Sequence, residues 1–334
     1  MLEEKDEFLI EQDLENWVIT KCDSWRDHYE ANYAQRFEEY YRLWRGQWSI
    51  EDRTRETERS KIITPALQQA VESSVAELEE ATFGRGKWFD IKDDIQDQET
   101  QDIEMLRKNL DQDFKKNKVR KGVAECLINA AVFGTGIAEV VLSEEKEMTP
   151  ATQPVMGGEL QAVGVTIRDR TCVKLRPVMP QNFLIDPVAT DIDSALGCAI
   201  DEFVSSHLVE QLQESGVYRD VDIVSASPDF DIEPDQDLTS FDDDKVRLTK
   251  YYGLVPRHLL EKAMQDEDAE DEEIVDLDQE ESSSYYVEAV VIIANGGTLL
   301  KASENPYMMQ DRPIIAFPWD VVPSRFWGRG VCEK

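Results

Sequence analysis

Large apolar side chains recur at steps of three and four residues near the start of the chain, and this spacing constrains the fold most strongly. The pattern runs from Leu14 to Trp44, about eight helical turns, and ends at Gly46. Most of its members are aromatic: Leu14, Trp17, Val18, Cys22, Trp25, Tyr29, Tyr33, Phe37, Tyr40 and Trp44. The spacing predicts one long amphipathic helix closed by glycine. Either the rest of this chain or a partner subunit must cover so long an aromatic face.

Three further helices are predicted before residue 134. One has Thr64 and Pro65 at its start and Gly84 as its stop, and the others cover Asp97–Lys116 and Val119–Phe133. The stretch "KWFDI" is predicted as a short strand. The glycines of "FGTG" fit a helix C-cap that turns into a strand, because a phosphate-binding loop needs the opposite order, strand before helix.

The second half of the chain is predicted to be rich in strands. Strands are expected in "IAEVVLS", "VGVTIRDRTCVKLRPVMPQNFLIDP", "CAIDEFVSS" and "VRLTKYYGLV", with short helices over His207–Ser215 and in "PRHLLEKAMQ". The stretch "SYYVEAVVIIANGGTLLKAS" predicts a hairpin with Asn295 and Gly296 in its turn. Helices first and strands later favour an α+β fold with a mixed, mostly antiparallel β-rich region.

The sequence divides into four regions. A helical region covers 1–134, and a β-rich α+β region covers 135–265. A flexible acidic loop is predicted over 266–283, because Asp266 to Glu281 contain eleven acids and no base. A hairpin and an aromatic, proline-rich segment occupy 284–334.

Charge narrows the possible functions. The 334 residues include 70 acidic and 36 basic side chains, a formal net charge of −34, so a basic surface that wraps nucleic acid is not expected. An apolar fraction of 41% with seven Trp indicates a chain that buries a core. Five scattered cysteines without a CxxC pair predict reduced thiols in a cytoplasm, and no run has the length or apolarity of a membrane span.

A search for catalytic patterns identifies no catalytic, cofactor-binding or metal-binding residue, and we do not expect an enzyme. The histidines His28, His207 and His258 are not in a zinc motif, and "HLVE" supplies too few ligands. A metal-dependent nuclease remains an alternative, since Pro228, Asp229, Asp243 and Lys245 imitate its carboxylate and lysine spacing. These residues lie in an acidic segment without the flanking strands that such a site requires.

One concentrated basic cluster stands out in this acidic chain. Five of the seven residues from 115 to 121 are basic: Lys115, Lys116, Lys118, Arg120 and Lys121. The cluster could contact a nucleic-acid backbone, but a solvated face between two helices explains it as well.

Several stretches, taken together and in order, resemble the portal proteins of short-tailed, podovirus-like bacteriophages. They are "ERSKIITPALQQAVESSVAELEEATFG", "NAAVFGTGIAEV", "PQNFLIDPVAT", "TKYYGLVPRHLLEKA", "VEAVVIIANGGTLLKASENPY" and "DRPIIAFPWDVVPSRFWGRG". The resemblance covers about residues 58–334, apart from the acidic segment. The series "YYGLVP", "ANGGTLL" and "RFWGRG" carries most of its specificity.

The resemblance implies a ring subunit without enzymatic activity. Such rings, typically of about twelve subunits, lie at one capsid vertex, where DNA is packaged and later ejected. The implied partners are capsid and scaffolding proteins, terminase, tail adaptor proteins and double-stranded DNA in weak contact, with no membrane. The implied location is the virion, after assembly in the cytoplasm of the bacterial host. The sequence does not identify channel-facing residues.

The stretch from Pro323 to Lys334 is interpreted as an interior junction, since in the family the corresponding segment leads into a largely helical region. Trp319, Phe326 and Trp327 would be exposed if that region were absent. An acidic interaction module or nucleic-acid mimic is the alternative from another class.

Overall fold

The computed structural model of the chain describes residues 13–48, 64–84, 88–91, 100–154, 160–223, 245–268 and 285–333. Helices dominate the first part and antiparallel strands the second, so the predicted α+β class is confirmed. The helices are α1 (Leu14–Tyr29), α2 (Gln35–Trp44), α3 (Ala66–Phe83), α4 (Thr100–Lys116), α5 (Val119–Phe133), α6 (Ser206–Glu214) and α7 (Arg257–Asp268). The strands are β1 (Thr135–Pro154), β2 (Leu160–Val178), β3 (Phe183–Ile185), β4 (Gly197–Ser205), β5 (Lys245–Pro256), β6 (Tyr286–Ala294), β7 (Thr298–Glu304) and β8 (Ile314–Pro318).

The chain forms two compact units, each built from segments distant in sequence. The five-stranded unit combines described residues of Met1–Arg42, Val178–Arg312 and Val321–Gly328. The three-stranded unit combines those of Leu43–Pro177, Pro313–Asp320 and Arg329–Lys334. The regions predicted from the sequence, with boundaries at 134, 265 and 283, are consecutive along the chain. Each compact unit instead combines segments from several of these regions.

The five-stranded unit is an antiparallel sheet in the order β3-β4-β5-β6-β7 with helices packed against it. Its larger core joins apolar residues of α1 and α7 to residues of β3 to β7. Tyr251 lies in the middle of this core and is fully buried. The ring of Trp25 stacks on that of Tyr251 at 5.9 Å, and the ring of Trp17 meets it edge-on at 6.3 Å. The chain itself therefore covers the α1 part of the aromatic face, without a partner subunit.

A second, smaller core of the same unit involves α6. Val209 of α6 packs with Val246, Leu248, Ile292 and Leu300 of the sheet. Because successive side chains of a strand point to opposite faces, helices on two faces can bury both sides of one sheet.

The long N-terminal helix contains a π-helical turn, Glu30–Ala34, between α1 and α2. The sequence predicted an uninterrupted helix, and its predicted stop is confirmed, since Gly46 adopts a left-handed φ of 65°. The rings of Tyr29, Tyr33 and Phe37, which flank or lie in this turn, are 5.9 to 6.4 Å apart. Single π turns within α-helices often accompany functional or tightly constrained sites.

The three-stranded unit pairs β1 with both β2 and β8. β8 is antiparallel to β1 in a register that runs from Thr135↔Pro318 to Glu139↔Ile314. α5 packs against β1 and against α3, so the helix that precedes β1 covers it. The predicted bounds of α5 agree with the structure.

The prediction of a strand in "KWFDI" is wrong for its described residues, Trp88 to Ile91, which form no strand. Trp88 and Phe89 instead pack against the ring of Phe114 on α4, each at 5.3 Å. Aromatic contacts with helices therefore replace the strand pairing that the β-rich composition suggested.

The predicted acidic loop, 266–283, is wrong at its start. α7 extends to Asp268, so residues 266–268 are helical, while 269–283 lie outside the described residues.

The predicted hairpin of β6 and β7 is confirmed, with left-handed φ values of 48° at Asn295 and 68° at Gly296. The Asn295 side chain accepts a hydrogen bond from the Arg247 N–H at 2.9 Å, which ties the turn to β5.

No described helix combines the length and the apolar composition that crossing a membrane requires.

Replacement of Trp25 by alanine should destabilise the fold strongly, because Trp25 is 5% exposed and its removal leaves a cavity against Tyr251. We expect a loss of about 3–5 kcal/mol in the free energy of unfolding. Trp48→Ala is the matched control, since Trp48 is 39% exposed and should cost at most about 1 kcal/mol. Denaturant titration followed by circular dichroism measures both, and equal losses would contradict this packing.

Candidate functional site

Three glycines of the resembling segments lie where α5, β1 and the chain near residue 330 meet, and we call them the glycine junction: Gly134, Gly136 and Gly330. Gly134 ends α5 with a left-handed φ of 96°, and its N–H donates to the Ala130 carbonyl at 2.8 Å. A Cβ on Gly330 would lie 2.7 Å from the carbonyl oxygens of Ala131 and Val132. Only glycine permits this approach of backbone to backbone.

The segment around β8 closes the junction from the other side. The N–H of Trp319 donates to the Gly134 carbonyl at 2.8 Å. A Cβ on Gly136 would meet the Phe317 ring at 2.7 Å. The stretches "NAAVFGTGIAEV" and "IIAFPWD", far apart in sequence, are thus packed together.

The interpretation of "FGTG" as a helix C-cap is confirmed. The motif follows α5 and leads into β1, so it adjoins the carbonyl end of a helix. That end carries a partial negative charge, which does not favour phosphate.

Aromatic residues of "RFWGRG" are buried in the five-stranded unit. Trp327 packs on Phe37 at 5.3 Å and on Tyr33 at 5.8 Å, and Phe326 stacks on Phe183 at 5.6 Å. The expected exposure of Phe326 and Trp327 is therefore wrong, and Trp319 is half-buried. We call Tyr29, Tyr33, Phe37, Phe183, Phe326 and Trp327 the aromatic cluster.

A buried carboxylate holds α1 on the sheet of the same unit. Asp201 on β4 is 8% exposed, and its Oδ2 pairs with Arg26 of α1 at 3.1 Å and also with Arg247 of β5. Its Oδ1 accepts a hydrogen bond from the Thr249 hydroxyl at 2.7 Å. Burial lowers the pKa of Arg26, but the charge and hydrogen bond of Asp201 outweigh it and raise this pKa.

A second ion pair in the same unit joins Arg312 to Glu288. The Arg312 side chain is 4% exposed and pairs with Glu288 of β6 at 2.7 Å. It also donates to the carbonyl oxygens of Ile192 at 2.5 Å and Leu196 at 3.4 Å. Arg312 thereby fixes the loop before β4 to the sheet. The roles of Arg312 and Asp201 were not predicted, although a charged residue inside or beside an apolar strand could have indicated both.

The histidines occupy three separate sites. His28 lies beside the aromatic face, with its ring 6.1 Å from that of Tyr33. His207 and His258 are second residues of α6 and α7, near helix starts as predicted. Within the described ranges, no three His, Cys, Asp or Glu side chains are grouped to hold a metal ion.

The residues of the nuclease alternative are largely outside the described chain. Pro228, Asp229 and Asp243 fall in the range 224–244, and Lys245 is the first residue of β5. The structure thus assigns a place to Lys245 alone.

The five cysteines are all described, and no disulfide joins them. Burial raises the pKa of Cys126 and of Cys332 to about 11 and that of Cys198 to about 12. A thiol with so high a pKa carries almost no thiolate at neutral pH and is a poor nucleophile.

The basic cluster lies at the corner between α4 and α5. Lys115 and Lys121 are each 74% exposed at the side chain, so the predicted solvated face is confirmed for these residues. Asn117 and Lys118 form the turn, and we call residues 115–121 the basic corner.

A pocket of about 450 Å³ lies in the five-stranded unit between α1, α7 and the start of β7. Its described lining mixes apolar residues with an ion pair, in which Lys262 Nζ lies 2.8 Å from Asp13 Oδ1. Charges of both signs line the pocket, so they do not select an anionic or a cationic ligand.

Comparison with protein-family models and with curated proteins gives no match for this chain.

Substitution of Gly330 by alanine should destabilise the glycine junction, because the new methyl group would overlap two backbone carbonyls. We expect a cost of about 1–3 kcal/mol in unfolding free energy. Gly297→Ala is a suitable control, since nothing lies within 4 Å of its Cβ position. Thermal unfolding of the two variants side by side measures the difference. A Gly330→Ala protein with an unchanged unfolding temperature would contradict the close approach of the two backbones.

Asp201→Asn should remove the buried carboxylate charge that Arg26 and Arg247 share. Breaking a buried pair in this way costs about 3–5 kcal/mol. The exposed pair of Asp320 and Arg329 provides the control, because Asp320→Asn should cost less than about 1 kcal/mol. Urea unfolding tests this prediction, which fails if the two substitutions have equal effects.

Proposed function

We propose that this chain is a subunit of the portal ring of a short-tailed bacteriophage. In this proposal identical copies, typically about twelve, surround a channel at one capsid vertex. DNA enters through the channel during packaging and leaves through it during ejection. The subunit has a structural role and catalyses no reaction.

The observation that carries the proposal is the ordered series of resembling stretches, from "NAAVFGTGIAEV" to "RFWGRG". Two of the stretches meet at the glycine junction, where Trp319 bonds to Gly134. A third stretch, "ANGGTLL", forms the β6–β7 turn. The resemblance therefore rests on residues with definite packing roles.

The charge of the chain fits a channel through which DNA slides. Acidic walls repel phosphate, so a polyanion would touch them weakly and would not adhere. A net charge of −34 opposes strong non-specific binding to DNA through electrostatic repulsion.

The proposal includes the partners of a portal. Capsid and scaffolding proteins would contact the ring in the shell, terminase would dock during packaging, and tail adaptor proteins would follow. The assembled ring belongs to the virion and forms in the cytoplasm of the bacterial host.

The alternative is an acidic interaction module that imitates nucleic acid. It is favoured by the same excess of acids, 70 against 36 bases. A mimic binds a basic partner protein as a small complex, whereas a portal subunit associates with its own copies. Association therefore separates the two functions.

Negative-stain electron microscopy of the purified chain tests the proposal. We expect rings with a central hole, and only slight retention of double-stranded DNA in a gel-shift assay at physiological salt. Uniform monomers that bind a basic protein tightly would instead support the mimic and contradict the ring.

A further inference from the structure

Residues of the aromatic cluster line a further pocket of the five-stranded unit, which we call the aromatic pocket. Its volume is about 50 Å³, and its wall includes the rings of Trp25, Tyr29, Tyr33, Phe326 and Trp327. One water molecule needs about 10–15 Å³ of such space, so the pocket has room for about four heavy atoms. It therefore fits the end group of a ligand and not a whole metabolite.

The rings of this wall are inclined to one another rather than parallel. Trp327 lies 5.8 Å from Tyr33 and 6.0 Å from Tyr29, with interplanar angles of 44° and 52°. Phe326 meets Trp327 edge-on at 5.2 Å. Because the face of an aromatic ring is electron-rich, a pocket walled by Trp and Tyr attracts a cation more than an anion.

A carboxylate belongs to the same wall. Asp186, which directly follows β3, lines the aromatic pocket and is half-buried. Its Oδ1 accepts a hydrogen bond from the Val188 N–H at 3.2 Å, and its Oδ2 accepts one from the Leu196 N–H at 3.4 Å. These bonds fix the carboxylate in place, and each oxygen keeps a further lone pair for a ligand.

The Tyr29 hydroxyl is a further polar group of the wall. Tyr29 is 8% exposed, and its Oη has no hydrogen-bond partner among the described residues. A buried hydroxyl without a partner is unfavourable, because it has lost its hydrogen bonds to water. A ligand N–H that donates to this oxygen would remove that cost.

Arg325 and His28 also line the aromatic pocket, and a positive charge on either opposes a bound cation. Arg325 is exposed, so solvent screens much of its charge, whereas Asp186 is half-buried. The field of the whole chain, with its net charge of −34, adds to that of Asp186. Together with the aromatic wall, the balance of charge favours a positive ligand.

We propose that the aromatic pocket binds the guanidinium group of an arginine side chain that a partner protein presents. A guanidinium group is planar and fits the volume of the pocket, stacks on aromatic rings, and donates hydrogen bonds to several oxygens at once. Pro187 and Val188, next to Asp186, are exposed, Val188 to 88%, and offer apolar contact to the stem of the arginine. The site does not depend on ring formation.

Calorimetric titration of the full chain with small probes tests the site. The probes are N-acetyl-arginine methylamide, N-acetyl-citrulline methylamide, which has the same shape without the charge, and acetate. We expect a millimolar dissociation constant for the arginine probe and binding about tenfold or more weaker for the other two. Absence of binding by the arginine probe, or equal binding by citrulline or acetate, would overturn the assignment.

A further probe, methylguanidinium, tests the source of the ligand. It lacks the stem and the peptide groups, so it should bind more weakly than the arginine probe. Equal affinity would assign the pocket to a free guanidinium compound and overturn the assignment to a partner protein.

Two substitutions locate the binding. Tyr29→Phe and Asp186→Asn should each weaken the arginine probe about fivefold or more, because each removes an acceptor. Tyr29→Phe should leave the unfolding free energy unchanged or higher, since no hydrogen bond within the described chain is lost. Tyr286→Phe is the control, because Tyr286 is 49% exposed and lies outside the pocket. Unchanged affinity in either pocket variant, or an equal loss in the control, would overturn the proposed contacts.

Discussion

The packing of α1 against Tyr251 is the interaction on which the five-stranded unit depends. Trp17 and Trp25 of α1 both contact the Tyr251 ring, and the same core includes Leu184, Val291 and Ile293 of the sheet. A sheet face of this kind is stable only when another layer covers it. Since α1 and β5 are more than 200 residues apart, the unit forms only after a long loop has closed, and the large apolar area of the tryptophans offsets that entropy.

Ion pairs with arginine add to the apolar packing, because an acidic chain must neutralise the carboxylates that it buries. Asp201 pairs with two arginines, Glu288 pairs with Arg312, and in the three-stranded unit buried Glu139 pairs with Arg176. The planar guanidinium can bond to several acceptors at once, as Arg312 does with a carboxylate and two carbonyls. Among the acids whose side chains the structure describes, only Glu139 and Asp201 are buried, so the others keep some exposure and contribute to the field on which the proposed sliding of DNA depends.

Local patterns predicted much of this fold, because helices and hairpins depend on residues close in sequence. The bounds of α5, the stop at Gly46 and the turn at Asn295 and Gly296 follow from spacing and backbone preference. Contacts between residues distant in sequence were not predicted, since no local pattern pairs β8 with β1 or places Trp327 on Phe37. The error at "KWFDI" has the same cause, because its composition suits a strand but the neighbouring helices supply ring contacts. Of the candidate site, sequence identified the role of Gly134 and the exposure of the basic corner, but not the buried pairs of Asp201 and Arg312.

In the proposed function, copies of this chain associate into one closed ring. Sedimentation equilibrium of the purified chain over a wide range of concentrations tests it most directly, because a closed ring has one mass and an open chain of subunits has many. We expect a single species whose mass is a fixed multiple of 38.3 kDa, about twelvefold, and does not grow as concentration rises. A mass of 38.3 kDa at every concentration, or a mass that increases without limit, would contradict it.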